Sequence, residues 1–198
     1  MISKYIDYEE SKAYIADGRV FAIDRLDFIG GSSTYVDSPA HFYDGGGDIT
    51  SLPIRRLFQQ PAVLVPAPPK GRREYRPSDF AGLKLRGKAV LLVTGWDKKW
   101  KTDDYQTGSP YLGPEAADFL AKQDPAFVGI DAVLVDDIDD PNPKPLREAH
   151  HALLGRAIPI VENMANLTSL PHHGAKITAI PAAVVGVGSF PVRAYATH

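Results

Sequence analysis

Apolar residues along this chain gather in short runs rather than in long helical stripes. Ala89 to Thr94 (AVLLVT) is continuous, rich in β-branched residues and stopped by Gly95, which predicts a strand buried on both faces. Val128 to Val135 (VGIDAVLV) predicts a second buried strand, ending in the acidic loop Asp136 to Asp140. Ala62 to Val65 and Ile158 to Val161 are shorter runs of the same kind, and Glu162 follows the latter immediately. Arg19 to Phe28 alternates imperfectly, predicting a strand with one buried face that ends at Gly30 and Gly31. Ile177 to Val187 predicts closing strands, with Pro181 at a strand start or edge.

Helical patterns are fewer. Gly113 to Gln123 carries Pro114 near its start and Glu115 in its first turn, where a proline and an acid both suit a helix N-terminus. Ala149 to Leu154 has helical character, Asn166 to Leu170 predicts a single turn, and Pro77-Ser78-Asp79 opens another turn. Strands interspersed with a few helices predict an α/β fold. With no repeat and no linker along the chain, a single domain over residues 1–198 is expected.

Composition narrows the function. At 44% hydrophobic content the chain has enough apolar residues for one substantial core. A net charge of -2 lacks the basic balance of a nucleic-acid binder. No apolar run approaches a bilayer span and the N-terminus has no signal-peptide pattern, so a cytoplasmic protein without a membrane partner is expected. The chain has no cysteine, which excludes disulfides, zinc fingers and a thiol nucleophile. Any metal must therefore be held by His, Asp or Glu.

Those residue types concentrate in two stretches. Between Gly30 and Gly47, Thr34, Asp37, Pro39 and His41 stand in order, and the proline stiffens the backbone between an acid and an imidazole four residues apart. From His150 to Leu167 the chain reads HHALLGRAIPIVENMANL, with Glu162 just after a short strand. Hydrolysis of an amide or ester at neutral pH needs an activated water and a stabilised oxyanion, and a divalent cation supplies both. A buried Asp–His pair is equally a structural hydrogen bond. Trp96, Trp100, Tyr105 and Tyr111 form either an apolar wall for a flat substrate or a cover over the core. The acidic run Asp136, Asp137, Asp139 and Asp140 lacks calcium-loop spacing and predicts a solvated loop, and His151 is expected on the face opposite His150.

The first stretch resembles the signature of the cyclase-type metal-dependent hydrolases, the kynurenine formamidase family, which reads His-x-Gly-Thr-His-x-Asp-x-Pro-x-His. Aligned on Asp37, Pro39 and His41, the chain has Gly31 and Tyr35 where two histidine ligands belong. His150, Leu153, Leu154, Glu162 and Asn166-Leu167 match the family's distal motif. Thr94-Gly95-Trp96, Gly129-Ile130-Asp131 and Pro191-Val192-Arg193-Ala194 match further segments in order.

The resemblance implies a swivelling β/β/α domain that forms homodimers or homotetramers. It implies one divalent cation, zinc or manganese, on Asp37, His150 and Glu162, with His41 as general acid or base; Tyr35 and Trp96 are expected to line the substrate pocket. The activity implied is hydrolysis of a small amide, ester or lactone. The joint loss of both histidines motivates an alternative: a family member without metal catalysis, binding a small aromatic ligand or performing a metal-free cyclisation or dehydration. The signature arrives early in the chain, so the N-terminal segment is short for the family.

Overall fold

In chain order the strands are β1 (Ile2–Ile6), β2 (Ile23–Leu26), β3 (Tyr35–Asp37), β4 (Gln60–Pro66), β5 (Glu74–Tyr75), β6 (Ala89–Val93), β7 (Tyr111–Leu112), β8 (Phe127–Ile130), β9 (Ile160–Glu162), β10 (Lys176–Thr178), β11 (Ser189–Pro191) and β12 (Tyr195–Thr197). The helices are α1 (Tyr8–Ser11), α2 (Ile54–Leu57), α3 (Pro114–Gln123) and α4 (Glu148–Leu154). The structure, a computed structural model, describes residues 1–198. Eight strands form one sheet in the order β11-β3-β9-β8-β6-β4-β10-β12, and two short pairs, β1-β2 and β5-β7, stand apart from it.

The continuous apolar runs became the centre of this sheet. Neighbours β4, β6, β8 and β9 are parallel, and the strands that flank them pair antiparallel. Along β6, Val90 and Leu92 pack with Leu120 of α3 and with Leu153 and Leu154 of α4. Ala89 and Leu91 face the other way, packing with Phe127, Val161, Met164 and Leu167. Successive side chains point to opposite faces, so a strand covered on both sides has to be apolar at every position. Each fully buried leucine contributes about 1.5–3 kcal/mol relative to exposure, which is what anchors the strands that carry polar groups.

Three expectations need correction. Arg19 to Phe28 yields only the four-residue β2, exposed at every position and paired antiparallel with β1 rather than with the main sheet. No second layer of the chain covers that hairpin, so its alternation has no buried face to serve. The run from Val128 stops as a strand at Ile130, because the chain turns at Asp131 to receive backbone N–H groups from the end of β6. Closing strands come from β10, β11 and β12, and most of Ile177 to Val187 is irregular. No helix is long and apolar enough to cross a membrane.

Register positions the candidate chemistry. β3 lies between β11 and β9, with Tyr35 opposite Glu162 and Asp37 opposite Ile160. Tyr35 and Asp37 share one face by the two-residue period, while Val36 points into the opposite core. That shared face is the one covered by α4, which carries His150.

Candidate active site

Asp37 is fully buried, and its two oxygens have different surroundings. Oδ1 accepts from the hydroxyl of Ser189 on β11, and Oδ2 is buried with no hydrogen-bond partner. His150 Nε2 lies 3.8 Å from that oxygen and 3.6 Å from Glu162 Oε1. His41 enters from the other side, its Nε2 4.0 Å from Asp37 Oδ1, with 39% of its side chain exposed. Donor atoms of Asp37, His41 and His150 all lie within 4.8 Å of one another. This is where the structure brings the sequence-predicted residues together.

Local folding explains each position. Ser38 precedes a single 3-10 turn over Pro39–His41, with the proline at its start, and that turn swings His41 back toward the Asp37 carboxylate. The turn is clamped by Gly188, where an added Cβ would sit 2.5 Å from the His41 backbone nitrogen. On α4, the buried Asp136 carboxylate accepts the Ala149 N–H at 2.8 Å and holds His150 Nδ1 in a short hydrogen bond. With Nδ1 engaged, Nε2 is the nitrogen presented to Asp37, the arrangement by which a carboxylate orients a ligating imidazole. Phe42 stacks on the His150 ring with centroids 4.9 Å apart and planes 19° from parallel, which fixes its tilt.

Electrostatics in this cluster are dominated by burial. Desolvation works against a charged His150, yet the Glu162 charge, the hydrogen bond to Asp136 and the nearby Asp37 carboxylate outweigh it and push the imidazole up to about 10. Burial pushes the Glu162 carboxyl upward, and the neighbouring His150 charge holds it back. Tyr35 is raised well above the ordinary phenol range, by burial first and then by the Glu162 and Asp37 charges, so it remains protonated. Its hydroxyl donates to Glu162 Oε2, and the Val135 N–H donates to Glu162 Oε1 at 2.6 Å.

The unpartnered Oδ2 of Asp37 decides whether a cation fits. A buried carboxylate oxygen without a donor costs about 1–3 kcal/mol or more, and here it faces an imidazole nitrogen too distant for a hydrogen bond. A cation between oxygen and nitrogen donors satisfies both, and carboxylate and imidazole are donors that suit a divalent metal. The residues present fit a single divalent cation.

Gly31 and Tyr35 are neighbours: a Cβ added to Gly31 would meet the Tyr35 ring at 3.5 Å. The phenol ring thus occupies space next to the glycine and reaches Glu162 through its hydroxyl. Trp96 packs on the core beside α3 and α4, donates its indole N–H to the Tyr105 carbonyl at 3.1 Å and carries Lys99 over its ring. Trp100 and Tyr105, rather than Trp96, line the cavity next to Asn163.

Sequence reasoning missed two residues. Asp136 belongs to the run read as a solvated loop, yet it is only 6% exposed and bonded to His150. Its position at the start of the run, directly after the buried Val135, was the available signal. Ser189 carried no signal, since its tie to Asp37 depends on β11 pairing with β3. His151 is exposed, and its Nδ1 lies 3.1 Å from the Tyr43 hydroxyl.

The chain is similar to known proteins. The model of the Cyclase family, described as "Putative cyclase", matches residues 3–137. Kynurenine formamidase from Maricaulis maris is 27% identical over 172 residues, covering 87% of this chain and 78% of that protein. Kynurenine formamidase from Bacillus cereus is 28% identical over 163 residues, covering 82% and 74%. Among solved structures, isatin hydrolase A from Labrenzia aggregata, bound to benzyl benzoate, superposes with a TM-score of 0.79 at 23% identity, over 99% of this chain and 82% of that one.

Proposed function

The chain belongs to the Cyclase family, and from that premise we propose that it hydrolyses a small amide, ester or lactone using one divalent cation, zinc or manganese. The observation that carries this reading is the unpartnered Asp37 Oδ2 facing His150 Nε2 inside a buried cluster. A divalent cation bound there supplies an activated water and a polarised substrate carbonyl. Asp37 and His150 would hold it, with Glu162, whose Oε1 lies 3.6 Å from His150 Nε2, as the third donor. Asp136 keeps the His150 ring in place, and the Tyr35 hydroxyl fixes the Glu162 carboxylate.

His41 is the exposed member of the cluster, so it is the residue that reaches both the buried donors and a substrate at the mouth. We assign it the proton transfer to the leaving group. A second reading has a specific observation in its favour: the mutual approach of Asp37, His41 and His150 within 4.8 Å makes His41 the third ligand instead of Glu162. The cation content of two variants separates them. If His41 moves protons, His41→Ala retains the cation and loses turnover, whereas Glu162→Gln loses the cation; the reverse pattern supports the second reading. Purified protein that neither holds zinc or manganese nor cleaves formamides, esters or lactones would instead favour the metal-free alternative.

We also propose a cytoplasmic protein that self-associates. Eleven of its nineteen exposed large hydrophobic residues fall within residues 1–29, around the β1-β2 hairpin. An isolated two-stranded hairpin is marginal in water, and a second copy covering it supplies the missing layer. Sedimentation of the intact chain tests this, and a monomer at micromolar concentration would refute it.

A further inference from the structure

A cavity of about 260 Å³ lies beyond the carboxyl ends of β6 and β9, bounded by Ser33, Asp97, Trp100, Tyr105, Asn163 and Asn166. Ligands of parallel α/β sheets bind outside the carboxyl ends of the strands. The backbone here is unusual. Nine non-glycine residues of the chain have a left-handed conformation, and three of them, Ser33 (φ 60°), Asn163 (φ 51°) and Asn166 (φ 61°), line this one cavity. Sparsely populated backbone conformations of this kind concentrate where a ligand is held.

Asn163 is locked in place. Its carbonyl accepts from the Thr34 hydroxyl at 2.7 Å, and its N–H donates to the Ala132 carbonyl at 3.0 Å. The Tyr105 hydroxyl donates to Asn163 Oδ1 at 2.6 Å, and burial keeps that phenol protonated. With Oδ1 committed as acceptor, the Nδ2 amino group is left as a donor and has no partner within the chain. The Asp97 carboxylate is engaged on the Asn166 N–H at 2.7 Å, which secures the cavity wall. Trp100 and Tyr105 meet edge to face, with centroids 5.1 Å apart. No lysine or arginine lines the cavity, and Asp97 adds negative charge, so an anionic ligand is disfavoured. Volume and walls suit one aromatic ring with a short neutral substituent.

We propose that this cavity receives the aromatic ring of a neutral ligand, and that Asn163 is a specificity-determining residue whose Nδ2 donates a hydrogen bond to a carbonyl oxygen of that ligand. Asn163 directly follows Glu162, so the proposal deepens the hydrolase reading and rests on it for taking the ligand as substrate.

Binding of benzamide to the full chain, followed by calorimetry and by tryptophan fluorescence, tests it. Two variants remove the donor without backbone strain: Asn163→Asp keeps the acceptor for Tyr105, and Asn163→Gly tolerates the positive φ. Each is expected to weaken benzamide at least tenfold, with the melting temperature nearly unchanged in Asn163→Asp, which keeps the Tyr105 bond, and lowered in Asn163→Gly, which loses it; benzoate is expected to bind the unaltered chain at least tenfold more weakly than benzamide. If either variant binds benzamide as the unaltered chain does, or if benzoate competes equally, the proposal is overturned. Loss of benzamide binding in both variants of a chain that hydrolyses nothing would sink the hydrolase reading while leaving the Asn163 contact standing. Hydrolysis with benzamide affinity indifferent to Asn163 would do the opposite.

Discussion

Two aspartates of the main sheet, Asp131 and Asp37, are both fully buried, yet they are satisfied in opposite ways. Asp131 at the end of β8 accepts the Thr94 N–H at 2.8 Å, the Thr94 hydroxyl at 2.6 Å and the Gly95 N–H at 2.8 Å, using both oxygens. Asp37 at the end of β3 has one oxygen on Ser189 and the other on nothing, with two imidazoles close by. Asp131 ties two strand ends together, and Asp37 keeps acceptor capacity unspent. Burial of a carboxylate therefore does not mark a reactive site here. Unused lone pairs facing unused nitrogens do, because buried polar groups are otherwise almost always paired.

The contrast breaks most sharply at Asp37. Replacing Asp37 with Asn is expected to abolish binding of manganese or zinc, read by elemental analysis, and with it all hydrolysis. The cation-free variant should be at least as stable to urea as the unaltered chain, since it removes an unpartnered buried carboxylate. Asp131→Ala should behave in the reverse sense. It strands three donors at the end of β6, at about 1–3 kcal/mol for each one left buried and unsatisfied, so urea unfolding should show a total loss of about 3–5 kcal/mol. Its remaining folded fraction should still hold the cation.

A smaller effect is expected from Asp136→Asn, which loosens His150 without removing a ligand. Second-layer partners of metal-ligating histidines typically contribute about 10–100-fold in affinity, and calorimetric titration with manganese should show a loss in that range.

The pH dependence follows from His150. Because its imidazole is pushed up to about 10, a cation must displace its proton, and affinity should climb between about pH 6 and about pH 9. Titrations in buffers of different ionisation enthalpy should register the released proton. For the cation-free protein the sign is opposite. A folded-state pKa above the unfolded value adds stability that is fully present below about pH 6.5 and is lost as pH rises toward about 10. Stability of the stripped protein that stayed level across that window would contradict the charged His150.

Much of the scaffold was readable from residue pattern. Ala89 to Thr94 became β6, and Gly113 to Gln123 became α3 from Pro114 onward, because continuous burial and a proline-led helix start are local signals. Asp37 and His41 could be paired from spacing, since four residues through a proline turn bring an acid and an imidazole to one point. Arg19 to Phe28 misled because alternation says that a face can be buried, without saying that anything covers it. Asp136 was hidden among like charges: composition cannot distinguish the one acid that turns inward from three that do not.

By itself, then, the sequence determined the buried central strands, the family signature and the short-range pairing of Asp37 with His41. Each of these depends on residues close together in the chain or on apolar runs whose burial is obligatory. Only the tertiary structure decided that Asp136 would orient His150, that Ser189 would take one Asp37 oxygen and leave the other free, and that Tyr35 would reach Glu162. The Tyr35 and Ser189 contacts join residues more than a hundred positions apart through strand register, where a shift of one residue turns every side chain to the other face. The Asp136 contact depends on how the loop after β8 folds back onto α4, which no local pattern records.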